Sequence, residues 1–389
     1  MNKPLSKILL IAGEPSGDLL GAKLMKEFKL ILPEIKFIGV GGQKMSEEGL
    51  VSLFAMEDLT VMGFVEVVKD IPNILKRIKQ TADYIRQEKP EIVITIDSPD
   101  FCFRVIKKIQ DLVEIKKVHM IAPSVWAYRE GRAKKIAKLY NLLLAILPFE
   151  PPYFEKYGLK TIFIGHPIIE KKPDFTLQNQ LRNDFRLTKK IASDDFVICL
   201  TPGSRSGEVK KIFPEFILAI NKLAQEKNNL KVVIPLVKKT EQLVAVMAKD
   251  LNVEYFLTND EEKSSAYFAS DFALAKSGTN TIELSLYRIA IIVCYKVNLL
   301  SFIIAKLLVK IKFANLINII SNRQVIPELL QYDCNSKKIL EYLRKFVNDK
   351  NLITQQLKDC QEALKIMGLD SQQSASKKAI QEILELTKK

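Results

Sequence analysis

Short runs of Val, Ile and Leu recur along this chain, and each ends in a polar or glycine-bearing turn. In the first half they fall at Ile8–Ala12, Lys36–Val40, Ile92–Ile96, Lys117–Ile121, Leu142–Leu147 and Thr161–Ile164. Between them lie stretches with the three-to-four-residue apolar spacing of helices, Leu19–Leu30 and Ile71–Gln87. Strand then helix, repeated, predicts a parallel sheet covered by helices. The pattern loosens between Pro167 and about Asp195, with a helix expected around Leu177–Phe185, and then resumes. Strands are expected at Phe196–Leu200, Lys231–Leu236, Phe272–Ala275 and Ala290–Tyr295, and helices at Pro214–Lys227 and Glu241–Leu251. From about Ser336 the chain reads as wholly helical. The expectation is α/β, with two Rossmann-like domains facing across a central cleft. The boundaries are 1–170 and 171–340, followed by C-terminal helices over 341–389. The pattern leaves open whether those last helices pack back on the first domain.

A chain of 389 residues with 48% hydrophobic content has material for two cores. Lys and Arg number 59 against 45 Asp and Glu, a net charge of +14 that favours polyanionic partners. Nucleic acid, anionic lipid and phosphorylated metabolites all qualify. The five cysteines show no C-x-x-C spacing, and His119 and His166 are the only histidines. Reduced core thiols are expected rather than disulfides, and no metal centre. Met1–Lys7 leads straight into a strand, with too short an apolar run for a secretory signal, so a cytoplasmic location is expected.

The candidate chemistry sits where strands end, which is where open α/β sheets place ligands. Gly13-Glu-Pro-Ser-Gly-Asp18 follows a strand and opens a helix, a position that favours an anion. It is not G-x-G-x-x-G, so a nicotinamide cofactor is not indicated. A capped turn, with Asp18 or Ser16 satisfying helix donors, explains it equally. Asp97 and Asp100 follow Ile92–Ile96. Asp97 is the preferred general base, and Asp100 suits a helix cap. Pro202-Gly-Ser-Arg205 and Ser277-Gly-Thr279 both follow strands of the second half. Glycine lets backbone approach phosphate, hydroxyls donate, and Arg205 can hold two phosphate oxygens. The lone Trp126 suits packing or a substrate-facing role, and His166 a structural hydrogen bond at the hinge.

No acidic residue occurs between Glu283 and Glu328, while Arg288, Lys296, Lys306, Lys310, Lys312 and Arg323 do. In helical projection Lys306 and Lys310 share a face, with Leu300, Ile304, Leu307 and Leu308 largely opposite. A second apolar patch lies at Leu59–Val68. These features suit peripheral contact with an anionic membrane. Lysines interrupt the run before the ~20 apolar residues of a span.

Taken together, the motifs resemble the lipid-A-disaccharide synthase family. In order they are Gly13–Asp18, Gly39-Val-Gly-Gly42, Val61-Met-Gly63 with Glu66, Ile96–Phe101, Pro123–Arg129, Leu147-Pro-Phe-Glu150, Gly165-His-Pro167, Pro202–Arg205 with Glu208, Ser277–Thr279 with Glu283, and Asn318 with Pro327–Gln331. The resemblance implies a GT-B fold of glycosyltransferase family 19 and an inverting, metal-independent reaction without a cofactor. UDP-2,3-diacylglucosamine would be the donor and 2,3-diacylglucosamine 1-phosphate the acceptor, giving a β-1,6-linked disaccharide 1-phosphate and UDP. It further implies catalytic roles for Asp97 and Glu14. UDP contacts would come from Gly203, Ser204, Arg205, Glu208, Ser277, Gly278, Thr279 and Glu283. Substrate contacts would come from Ser16, Asp18, Met62, Trp126, Arg129, Asn318 and Gln331. The expected setting is the cytoplasmic face of the inner membrane, in contact with its anionic lipids and not with nucleic acid, with a homodimer as an option. Departures from the family pattern are Pro15 for Ala, Thr201 for Leu, Tyr128 for Trp and Asn322 where Gly is frequent. Two other classes stay open: another UDP-sugar enzyme such as an epimerase, and a non-catalytic protein binding anionic lipid or nucleic acid.

Overall fold

The computed structural model describes residues 5–59, 64–298, 302 and 311–388, with 64–70 as backbone only. Val61, Met62, Leu300, Ile304, Lys306, Leu307, Leu308 and Lys310 lie outside the described residues, as do the side chains of Phe64 and Val65. Two compact units divide the chain: Met1–Pro167 with Asp370–Lys389, and Ile168–Leu369.

In the first unit the strands are β1 (Lys7–Ala12), β2 (Lys36–Val40), β3 (Val51–Ser52), β4 (Ile92–Ile96), β5 (Lys116–Met120), β6 (Leu142–Ala145) and β7 (Thr161–Phe163). They form one parallel sheet in the order β3-β2-β1-β4-β5-β6-β7. Because side chains alternate across a sheet, its two faces are buried separately. Leu10, Ile94, Met120 and Leu144 pack under helix Pro15–Ile31. Leu9, Ile11, Val93 and Leu143 pack under helices Phe64–Glu88 and Pro99–Lys108. The sheet reverses its winding between β1 and β4.

The second unit has β8 (Phe196–Thr201), β9 (Leu230–Pro235), β10 (Tyr255–Thr258), β11 (Phe272–Lys276), β12 (Ala290–Tyr295) and β13 (Glu328–Leu330). Their order is β10-β9-β8-β11-β12-β13, all parallel, and the winding reverses between β8 and β11. Helix Ser206–Ala224 starts eight residues before the expected Pro214 and runs through that proline. Val209, Ile212, Phe213, Phe216, Ile217 and Ile220 keep helical spacing across it and are buried. That burial outweighs the ~3 kcal/mol that an interior proline costs.

The C-terminal helices do not form one segment. Helices Ser336–Asn348 and Lys350–Ile366 belong to the second unit, where Ile339, Leu343 and Phe346 join its core. There the Gln356 amide clasps the backbone of Ile291, accepting at 2.6 Å and donating at 3.0 Å. Helix Ala375–Thr387 belongs to the first unit. Its Ala379, Ile380 and Ile383 are buried beside β5 and β6, and Lys160 reaches Glu382 at 2.7 Å. All five cysteines are buried free thiols. Among the described residues no helix is long and apolar enough to cross a membrane.

Candidate active site

Each sheet places part of its candidate set at its own switch point, the place where neighbouring loops diverge and leave room for a ligand. At β1/β4 the loops are Gly13-Glu14 and Asp97-Ser98. Gly13 lies so close to Ser98 that a Cβ on it would meet the Ser98 hydroxyl at 2.5 Å. Asp97 and Ser98 both adopt left-handed backbone, with φ of 53° and 44°. Non-glycine residues hold that conformation at a cost of ~1–2 kcal/mol each. Asp97 is half-buried, and one carboxylate oxygen accepts the Ser98 N–H at 2.9 Å. Burial raises its pKa, and the Ser98 N–H opposes that only in part. A carboxylate with a raised pKa and an oxygen to spare is suited to take a proton from a hydroxyl. The Ser98 hydroxyl is buried without a hydrogen-bond partner among the described residues.

Glu14 is exposed at the N-cap of helix Pro15–Ile31, and Ser16 is exposed in its first turn. Asp18 turns inward. It accepts the backbone N–H groups of Gly42, Lys44 and Met45 at 2.8–3.1 Å and is 4% exposed. Its carboxylate therefore secures the turn after β2. Asp100 makes no cap bond to its helix. It is exposed and pairs with Arg132 at 3.2 Å, unlike the expectation.

Trp126 lies edge-on to Phe149 and donates its indole N–H to Glu150 at 3.2 Å. Glu150 also accepts the Leu147 N–H, and burial pushes its carboxyl up to about 7. Arg129 is exposed, with a left-handed φ of 55° and its guanidinium over Tyr128.

At β8/β11 the arrangement is open. A cavity of about 410 Å³ is lined by Pro202–Arg205, Glu208, Lys276, Gly278 and Thr279 among others. Gly203 has φ of 132° and faces Glu208 at a distance that leaves no room for a side chain. Arg205 is exposed and makes no ion pair with any described residue. Helices Ser206–Ala224 and Thr279–Leu286 both start at this cavity, so their free N–H groups favour an anion there. Ser277 is mostly committed to structure: its N–H bonds Cys294 and its hydroxyl donates to Ala314. Glu283 lies just outside the cavity, both oxygens held by Lys263 at 2.8 Å.

Asn318 is fully buried and spends its amide within the unit. It donates to Ile326 and Glu328 and accepts the N–H groups of Val325 and Ile326, each at 2.8 Å. Gln331, in left-handed backbone, brackets Val297 with two bonds of 3.1 Å. Both make scaffold contacts within the unit. Asn322 takes the left-handed position that closes helix Leu316–Ser321, at φ 50°, as its tolerance for that region predicts. Met62 lies outside the described residues.

The acid-free segment is partly neutralised from elsewhere. Lys296 pairs with Glu215, Arg323 with Asp359, and Arg288 stacks on Phe175. Sequence reasoning missed Thr240, Asp260, Lys263, Tyr267, Lys276 and Asn280, all of which line the cavity. A usable signal existed for one of them, since Lys276 is the single charge in β11 and stands at its carboxyl end. Among the described residues no group of His, Cys, Asp and Glu is placed to hold a metal.

Two doubly wound parallel sheets with loop-built switch points define the GT-B class. MurG of Acinetobacter baumannii matches over 98% of this chain and 100% of its own, with a TM-score of 0.60 and 11% identity. The UDP-GlcNAc 2-epimerase of Neisseria meningitidis, solved with UDP-GlcNAc bound, matches over 97% and 100%, with a TM-score of 0.63 and 14% identity. At such identities the likeness shows the fold alone.

Family is settled by sequence. The lipid-A-disaccharide synthetase family model matches residues 8–383. The lipid-A-disaccharide synthase of Rickettsia bellii is 43% identical over 371 residues, covering 94% of this chain and 95% of its own. That of Rhodospirillum centenum is 39% identical over 369 residues, covering 94% and 91%. The chain belongs to the lipid-A-disaccharide synthase family, and is a glycosyltransferase of lipid A biosynthesis.

Proposed function

We propose that the protein transfers 2,3-diacylglucosamine from its UDP carrier to the 6-hydroxyl of 2,3-diacylglucosamine 1-phosphate, with inversion. Asp97 takes the hydroxyl proton as the oxygen attacks the anomeric carbon. The bond from that carbon to the diphosphate breaks, and UDP leaves. The observation that carries this reading is the cation-lined cavity at β8/β11, whose glycine loops and helix N-termini suit a diphosphate. Arg205 holds the diphosphate, and its hold tightens as charge grows on the leaving group. Glu14 binds beside Asp97. Asp18, Asn318 and Gln331 act through the loops they fix. Glu283 reaches the ribose only by sharing or leaving Lys263. Work at an anionic lipid surface is supported by the charge of +14 and the acid-free segment.

Incubation with both lipids and mass analysis of the product tests the reading. A tetraacyl disaccharide monophosphate with stoichiometric UDP is expected. Release of a free epimerised sugar, or no product, would overturn it.

A further inference from the structure

The two loops of the β8/β11 switch point are bridged twice, each time by a polar pair. Asn280 donates to the Thr201 hydroxyl at 2.8 Å, and Lys276 pairs with Glu208 at 3.0 Å. The second bridge is uneven. Glu208 offers Lys276 one oxygen, while its other oxygen is buried with no partner among the described residues. An ammonium carries three N–H groups, so this one contact leaves Lys276 donors to spare. Its nitrogen would lie 3.7 Å from a Cβ built on Gly278, the N-cap of helix Thr279–Leu286. Glu208 stands in the first turn of helix Ser206–Ala224. Lys276 thus sits between two helix N-termini on the cavity wall, 19% exposed.

The other lysine of the cavity differs. Lys263 is held by both oxygens of Glu283, which leaves it little to offer a ligand. A departing nucleoside diphosphate carries more negative charge than Arg205 alone can balance. We propose that Lys276 is a further catalytic residue, binding the leaving diphosphate beside Arg205 while Glu208 orients its ammonium. This rests on the donor reading above. Glu208 then has one task, to hold Lys276, and the repulsion it would exert on a diphosphate is cancelled by the residue it holds.

The test is calorimetric titration of UDP and of uridine into the full chain, with Lys276→Met, Lys276→Arg and Lys276→Met combined with Glu208→Gln. Lys276→Met should weaken UDP binding about tenfold or more, leave uridine within about twofold, and lower kcat. Lys276→Arg should retain most of the UDP affinity. The double variant should stay weak, because the missing cation and not the exposed acid is the cause. Recovery of UDP affinity in the double variant would overturn the proposal, reducing Lys276 to a neutraliser of Glu208. Equal losses for UDP and uridine would overturn it too, as the mark of a collapsed cavity. Unchanged UDP binding in Lys276→Met would sink this role alone, whereas a wild-type chain that fails to bind UDP would sink the donor reading itself.

Discussion

The two switch points are built by opposite physical means. At β1/β4 the turn is tight and strained, with two consecutive non-glycine residues in left-handed backbone and Gly13 pressed against Ser98. At β8/β11 glycine at 203 relieves the strain, the loops stand apart around a cavity, and polar pairs span them. The first arrangement fixes one carboxylate in a half-buried position that raises its pKa. The second leaves donors and cations room for a charged group. Under the proposed function a base must be held still and kept partly dry, whereas a diphosphate must be admitted and released. The strain at one point and the openness at the other suit those tasks.

The largest expected effect comes from breaking the tight side. Asp97→Asn keeps the shape but cannot take a proton, so turnover should fall about 10²–10⁴-fold while UDP affinity stays put. Titration calorimetry beside a rate assay checks both halves. Away from both switch points, Asn318→Ala removes four buried hydrogen bonds and should cost the second unit about 2–4 kcal/mol. Urea denaturation reads that loss, and the folded variant should bind UDP as before. A large change in UDP affinity without a change in stability would return Asn318 to the ligand.

Arg205→Ala should lower kcat/KM about 10–100-fold and weaken UDP binding in parallel. A drop in rate with untouched UDP affinity would contradict the division between the two points. Gly13→Ala sharpens the contrast, since its Cβ would press on the Ser98 side chain at 2.5–2.9 Å. Turnover should fall about tenfold without loss of UDP binding. Gly207→Ala, which meets nothing within 4 Å, should be silent.

An effect on stability rather than on rate lies beneath the tight turn. His119 is fully buried, bonds Thr95 at 2.7 Å, and burial lowers its pKa to about 3 from 6.5. The folded state therefore refuses a proton that the unfolded chain accepts below pH 6.5. This contribution is whole above pH 6.5 and is lost as pH falls toward 3. Between pH 6 and 4 the wild type should lose stability against His119→Gln by about 1.4 kcal/mol per pH unit, read by denaturation at several pH values.

Much of this was legible in the chain, and what was not has identifiable causes. The central strands announce themselves because both faces are buried and most of their positions are apolar, with Thr95 and His119 as buried exceptions. The edge strands β3, β10 and β13 are two to four residues long and show no such run. The start of helix Ser206–Ala224 was hidden by Pro214, whose local cost is overridden by burial on both sides of it. The last helix carries an amphipathic pattern that either unit could receive, so only packing shows that it completes the first. Asp97 and Arg205 were visible as charges at strand ends. The inward turn of Asp18 and Asn318 was not, because a motif marks that a residue is needed without saying whether ligand or backbone needs it. Lys276, one charge at the end of β11, gave a signal in the chain, but its pairing with Glu208 shows only in the fold.

The division of labour is tested most directly by the pH dependence of the single-turnover rate with donor saturating. Wild type and Arg205→Ala should share one acidic limb, rising with pH as Asp97 loses its proton, at a pKa that burial raises from the ordinary aspartate value. In Asp97→Asn that limb should vanish and leave a low, flat rate. A limb that survives in Asp97→Asn, or that shifts with Arg205→Ala, would contradict the account.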